Sequence, residues 1–297
     1  MKKLYGTGVA LVTPFTESLE IDFKALKKLL AHTARSVDYY VVMGTTGEPA
    51  TCTQEEKKTV LEFIKSNNLA KKPIVYGIGG NSTIAVVEAV KLADLSGVDA
   101  ILSVSPYYNK PSQEGIAQHF EAIADASSVP VILYNVPGRT ASNLSAETTL
   151  RLAAHNNIIG IKEASGNLEQ CMQVMKYKPK DFLMISGDDM LTSALYAIGA
   201  MGVISVLANA LPQIFRKIKE HSFAGRPVKA AQELFKVLEI NGPMYEEGNP
   251  VGIKQLLYRV GVCGPYVRLP LVKASQQLEA KIDKAYVALK KTTKKQG

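Results

Sequence analysis

The chain has 297 residues, 46% of them hydrophobic and 21% charged, enough to bury a large core and within the size range of one (β/α)8 barrel carrying an appendage. Its 35 basic and 27 acidic residues give a formal net charge of +8. The basic residues are scattered along helical patterns and aromatics are only 7%, so the footprint of a nucleic-acid binder is missing and no nucleic-acid partner is expected.

Short apolar runs alternate with longer amphipathic stretches from the start of the chain. The runs are Val9–Val12, Tyr39–Met43, Ile74–Tyr76, Ala100–Val104, Val131–Tyr134, Ile158–Ile161, Phe182–Ile185 and Gly202–Val206. Their Val, Ile and Leu content without polar alternation suits parallel strands covered on both sides. The helical patterns between them are Phe23–Ala34, Gln54–Asn67, Ile84–Leu95, Gln113–Ala126, Ala146–Ala154, Leu168–Met175, Met190–Ile198 and Gln213–His221. Thr53 before Glu56, Asn81-Ser82-Thr83, Ser145 before Thr148 and Asp188-Asp189 before Leu191 are predicted helix starts. Eight such units, with no GxGxxG turn after the first strand, predict a closed barrel rather than an open dinucleotide-binding sheet.

Three further helical segments follow, Pro227–Asn241, Pro250–Val260 and Leu271–Leu289. The expected division is a barrel over residues 1–224 and a C-terminal three-helix extension over 225–297, parted where Ala224-Gly225-Arg226-Pro227 interrupts the pattern. The lysine-rich end, from Lys290 to Gln296, is predicted to be frayed and solvated. Cys52, Cys171 and Cys263 are odd in number and far apart, which predicts neither a disulfide framework nor a zinc site and fits the reduced cytosol. Met1-Lys2-Lys3 could open a signal peptide, but the apolar stretch behind it is short and ends at Thr13-Pro14. No segment reaches the roughly 20 apolar residues of a membrane span.

A barrel of this kind carries its active site at the carboxyl ends of its strands. Lys162 closes the run Ile158-Ile159-Gly160-Ile161, where partial desolvation would favour a free amine able to attack a carbonyl carbon, with Gly160 leaving space beneath it. Equally, it could snorkel to water or pair with Glu163. Gly44-Thr45-Thr46-Gly47-Glu48 offers hydroxyls and free N–H groups to a carboxylate, or is a plain turn. Tyr134 could relay protons to Lys162 or be a buried core phenol. Tyr107-Tyr108 could belong to the site or to an interface. Arg139 is a fork for a second carboxylate or half of a surface ion pair. The four histidines lie in or beside helical stretches without HExxH spacing, so no metal and no cofactor is expected.

Four segments together resemble the dihydrodipicolinate synthase family in order and spacing. They are Gly44–Glu48, Ser105-Pro106-Tyr107-Tyr108-Asn109-Lys110-Pro111, Tyr134-Asn135-Val136-Pro137-Gly138-Arg139-Thr140 and Ile159–Gly166. The likeness runs over essentially the whole chain, including Ser186–Asp189 and Gly202–Val206. It implies a Schiff-base enzyme that condenses pyruvate with L-aspartate 4-semialdehyde on the way to diaminopimelate and lysine. Lys162 would form the imine and Tyr134 would relay protons. Thr46 would link Tyr134 to Tyr108, the latter arriving from a neighbouring subunit of a homotetramer built from two tight dimers. Thr45 and Thr46 would hold the pyruvate carboxylate, Arg139 the carboxylate of the semialdehyde, and Gly187 with the backbone of Ile204 would line the keto-acid end. N-acetylneuraminate lyase and 2-keto-3-deoxy sugar acid aldolases share the lysine and the GxxGE loop, and Arg139 argues for the semialdehyde against them. Some family members are inhibited by lysine. Here Asn81 and Tyr107 match those, but Ala85 stands where they carry Glu, and Gln54 and Lys57 where they carry histidines, which implies weak or absent inhibition.

Overall fold

In the computed structural model, which describes residues 2–294 with side chains to Lys291, eight strands close in chain order into a barrel. They are β1 (Gly6–Ala10), β2 (Tyr39–Val42), β3 (Ile74–Gly77), β4 (Ala100–Val104), β5 (Val131–Asn135), β6 (Ile158–Glu163), β7 (Leu183–Ser186) and β8 (Gly202–Ser205). Neighbours from β2 to β8 pair in parallel, and nearly every strand residue is buried. That burial on both faces explains the unbroken apolar runs.

The first strand lies three residues earlier than its apolar run. Gly6, Thr7 and Gly8 belong to it because a small residue is needed there: a Cβ on Gly8 would stand 2.2 Å from Cε2 of Tyr39, which is fully buried. Gly160 is small for a different reason than expected. A Cβ there would come within 2.6 Å of Leu183 Cβ and 2.7 Å of its carbonyl oxygen, so the glycine lets β7 close on β6 rather than clearing space beneath Lys162.

Local capping sets most helix starts. Thr53 and Glu56 form a complete capping box ahead of Gln54–Asn67, Ser82 caps Thr83–Leu92, and Ser145 caps Ala146–Leu152. Asp188-Asp189 does not act this way. Asp188 Oδ1 accepts from the Met190 N–H at 2.8 Å, shaping the turn, and the helix begins only at Thr192 with no side-chain cap. Beyond Ala224, the first expected helix breaks into Pro227–Phe235 and Leu238–Asn241. The last begins at Gln276, after Ser275 Oγ accepts from the Leu278 N–H. It continues to Lys294, so the predicted fraying does not start at Lys290; Lys290 and Lys291 are exposed, and Lys295 and Gln296 lie outside the described residues.

The chain packs as two compact units. One comprises the residues up to Gly8, Asp38–Val42 and Pro73–Ile204; the other comprises Val9–Val37, Met43–Lys72 and the chain from Ser205 onward. No helix among the described residues is long and apolar enough to cross a membrane.

Candidate functional site

In the first unit, the chemistry gathers at the carboxyl ends of β5, β6 and β7. Tyr134 and Lys162 are Cα partners in the β5–β6 ladder, so their side chains leave the sheet side by side. Both are buried, and Lys162 Nζ stands 4.1 Å from the centroid of the Tyr134 ring. Lys162 neither snorkels nor pairs with Glu163, because alternation on β6 sends the two side chains to opposite faces and Glu163 bonds elsewhere. Room for the amine comes from the next strand end: a Cβ on Gly187 would stand 3.1 Å from Lys162 Cε and 2.7 Å from Ala164 Cβ. An amine held against a phenol can attack a carbonyl and exchange protons with its neighbour.

Arg139 lies just beyond β5, in the short helix Pro137–Thr140, with an exposed guanidinium. Among the described residues it pairs with no carboxylate, unlike Arg151, which is held by Glu114 and Glu121. Ile204 is buried in β8. Tyr108 is 88% exposed, an exposure that leaves its ring almost without contacts in its own chain. Its backbone has φ 74°, a left-handed conformation that a tyrosine adopts only when the surrounding turn imposes it. Asn81 imposes much of it, donating to the Tyr107 carbonyl at 3.1 Å while its own carbonyl accepts from Asn109 at 2.9 Å.

The Thr45–Thr46 loop belongs to the second unit. It is one turn of 3-10 helix, Thr45–Gly47, flanked by left-handed Met43 (φ 55°) and Glu48 (φ 57°). Thr46 is buried, and its Oγ1 accepts from Asn249 Nδ2 at 3.0 Å. Thr13 Oγ1 donates to the Gly47 carbonyl at 2.7 Å. Glu48 is buried beside a fully buried Lys254, with Oε1 2.5 Å from Nζ, and its other oxygen accepts from the Arg268 N–H. Burial pulls the Lys254 ammonium below its usual value, and Glu48 opposes that pull. Asn249, Lys254 and Arg268, which complete this surrounding, carry no local signal in the sequence. Glu48 did carry one, as a charged residue closing a Gly-Thr loop.

Among the described residues, no group of three His, Cys, Asp or Glu side chains could hold a metal ion. Cys52, Cys171 and Cys263 are free and buried, and burial pushes the thiols of Cys171 and Cys263 up to about 12.

The sequence profile of the Dihydrodipicolinate synthetase family matches residues 3–289. A 4-hydroxy-tetrahydrodipicolinate synthase of Cytophaga hutchinsonii is 50% identical over 290 residues, which are 97% of this chain and 98% of that protein. The chloride-inhibited dihydrodipicolinate synthase of Acinetobacter baumannii, solved in complex with pyruvate, superposes with a TM-score of 0.93 at 36% identity, covering 96% of this chain and 99% of its own. The enzyme of Cyanidioschyzon merolae, solved with lysine bound, superposes with a TM-score of 0.92 at 37% identity over 97% of this chain and 98% of that one.

Proposed function

The chain belongs to the dihydrodipicolinate synthetase family and has its synthase activity, and from that premise we propose how its own residues carry the reaction. The substrates are pyruvate and L-aspartate 4-semialdehyde. The observation that carries the reading is the buried Lys162 Nζ beside the Tyr134 ring at adjoining strand ends.

Lys162 Nζ adds to C2 of pyruvate, and the resulting carbinolamine loses water to give the imine. Tyr134, the nearest phenol, hands over the proton that water needs to leave. Loss of a C3 proton to the Tyr134 phenolate turns the imine into an enamine, whose C3 forms a bond to the aldehyde carbon of the second substrate while the aldehyde oxygen takes up that proton. Thr45 and Thr46 hold the pyruvate carboxylate, Gly187 and the backbone of Ile204 line the keto-acid end, and the unpaired Arg139 receives the semialdehyde carboxylate. Thr46 connects Tyr134 with Tyr108 of a neighbouring subunit in a homotetramer; the support for this is an exposed aromatic in an imposed conformation. Three free cysteines support a cytosolic setting.

Borohydride reduction in the presence of pyruvate is expected to leave one stable adduct per chain, absent from Lys162→Ala. Consumption of aspartate semialdehyde in a coupled assay then separates the synthase from lyases that share the lysine. A protein that gains no mass, or that is trapped by pyruvate yet ignores the semialdehyde, overturns the reading. Lysine is expected to inhibit weakly or not at all, because Ala85 supplies no acidic partner and Lys57 repels the ligand's ammonium. A steady-state titration giving a micromolar inhibition constant contradicts this.

A further inference from the structure

Behind the catalytic pair lies a buried carboxylate that the reaction does not use. Glu163 follows Lys162 on β6, faces the other side of the strand and is 2% exposed. Among the described residues, its two oxygens accept only from N–H groups. Ser165 N donates to Oε1 at 2.7 Å, Gln170 Nε2 donates to Oε2 at 3.0 Å, and Asn135 Nδ2 lies 3.1 and 3.0 Å from the two oxygens.

An ionised carboxylate can only accept hydrogen bonds, whereas an amide side chain can face a neighbour with either its oxygen or its nitrogen. Glu163 therefore decides which way two buried amides turn. With its NH2 drawn to Glu163, Asn135 must present Oδ1 elsewhere, and that oxygen accepts from the Leu144 N–H at 3.0 Å. The same NH2 reaches Asn143 Oδ1 at 2.8 Å and the Leu144 carbonyl at 3.3 Å. Gln170, oriented in the same way, presents Oε1 to Asn143 Nδ2 at 2.7 Å and shares its NH2 with the Leu144 carbonyl at 3.1 Å.

The consequence falls on the loop that leaves β5 after Asn135 and returns at Leu144. Asn135 sits at its entrance and bonds both backbone groups of Leu144 at its exit, so one side chain closes the loop on itself. Arg139 rides on that loop. Ala141, left-handed at φ 57°, ends the short helix with its N–H on the Pro137 carbonyl, while Ser142 Oγ donating to the Pro106 carbonyl anchors the far side. We propose that Glu163 is a positioning residue for the second substrate. By dictating the polarity of the Asn135 and Gln170 amides, it fixes the loop that presents Arg139 to the semialdehyde carboxylate. This rests on the assignment of Arg139 given above.

Glu163→Gln tests it with little change of shape. The new amide brings N–H donors to face the donors of Asn135, Gln170 and Ser165, so an amide must turn and Leu144 loses an acceptor. The expected result is a KM for aspartate semialdehyde raised about tenfold, with pyruvate KM and the borohydride-trapped fraction within about twofold of the unmodified chain. Amide hydrogen exchange over residues 142–144 is expected to quicken by about tenfold. In an Arg139→Ala background, Glu163→Gln should add nothing further to the semialdehyde KM. A merely structural role would instead raise both KM values together or lower trapping, and that result, or unchanged exchange and KM, overturns the proposal. Should Glu163→Gln not fold, Gln170→Met removes one donor and keeps the carboxylate; it must shift the same two readouts in the same direction, more weakly. If the unmodified chain traps pyruvate and consumes the semialdehyde while both variants match it, this inference fails alone. If the unmodified chain does not consume the semialdehyde, the synthase reading fails first.

Discussion

Glu48 and Glu163 are both buried carboxylates next to residues assigned to substrate, and they are accommodated in opposite ways. Glu48 is answered by a cation, the fully buried Lys254, which also donates to the Tyr266 carbonyl and lies 4.1 Å over the Phe15 ring. Glu163 is answered by neutral amides and one backbone N–H. A buried ion pair has a large desolvation cost and is intolerant of losing one partner. An amide cradle spreads its contribution over several weaker bonds but transmits orientation, because each amide must choose which end to offer. In this chain the charge pair holds a strained loop shut, whereas the amide cradle sets the direction of hydrogen bonds leading to a distant side chain.

The largest test of that contrast is Lys254→Met. It takes the ammonium partner from the buried Glu48 carboxylate and is expected to destabilise by about 3–5 kcal/mol in urea unfolding. The double variant Glu48→Gln with Lys254→Met should recover most of the loss, because no unpaired charge is left. Next comes Glu163→Gln, expected to cost about 1–3 kcal/mol, since donors face donors but no charge is stranded. Equal losses for Lys254→Met and Glu163→Gln would erase the distinction.

Per pH unit, His119 gives the smallest effect and sharpens the comparison, as a buried titratable group with neither a counter-ion nor an amide cradle. Its Nδ1 lies 2.9 Å from Thr83 Oγ1, its ring packs edge-on to Phe120, and burial lowers its pKa to about 4. The folded chain then binds this proton less readily than the unfolded chain, whose histidine titrates near its ordinary value. Stability is therefore expected to fall as pH drops from about 6.5 to about 4, by at most roughly 1.4 kcal/mol per pH unit. His119→Gln should remove that slope and leave stability at pH 8 insensitive to pH. A slope unchanged in the variant would assign it to other groups.

Much of the frame is legible in the residues because strand and helix periodicity are local properties. The eight apolar runs mark the eight strands, and Thr53, Ser82 and Ser145 mark helix starts through bonds spanning three residues. Strand β1 departs from its apolar run where a long-range demand, the ring of Tyr39, requires glycine in place of an apolar side chain. Likewise, the purpose of Gly160 depends on Leu183, and the room around Lys162 depends on Gly187. Neither partner is near in sequence.

The alternation of strands and helices and the strand-end position of Lys162 follow from residue types at short spacing, and the family from a likeness of motifs that runs along nearly the whole chain. Only the tertiary structure decided how the buried charges are balanced. Glu48 meets Lys254 across 206 positions, and Glu163 meets Asn135 across 28. Whether a carboxylate is matched by an ammonium or by amides depends on which side chains the closed barrel and its helices bring within about 3 Å, and no local pattern encodes that encounter.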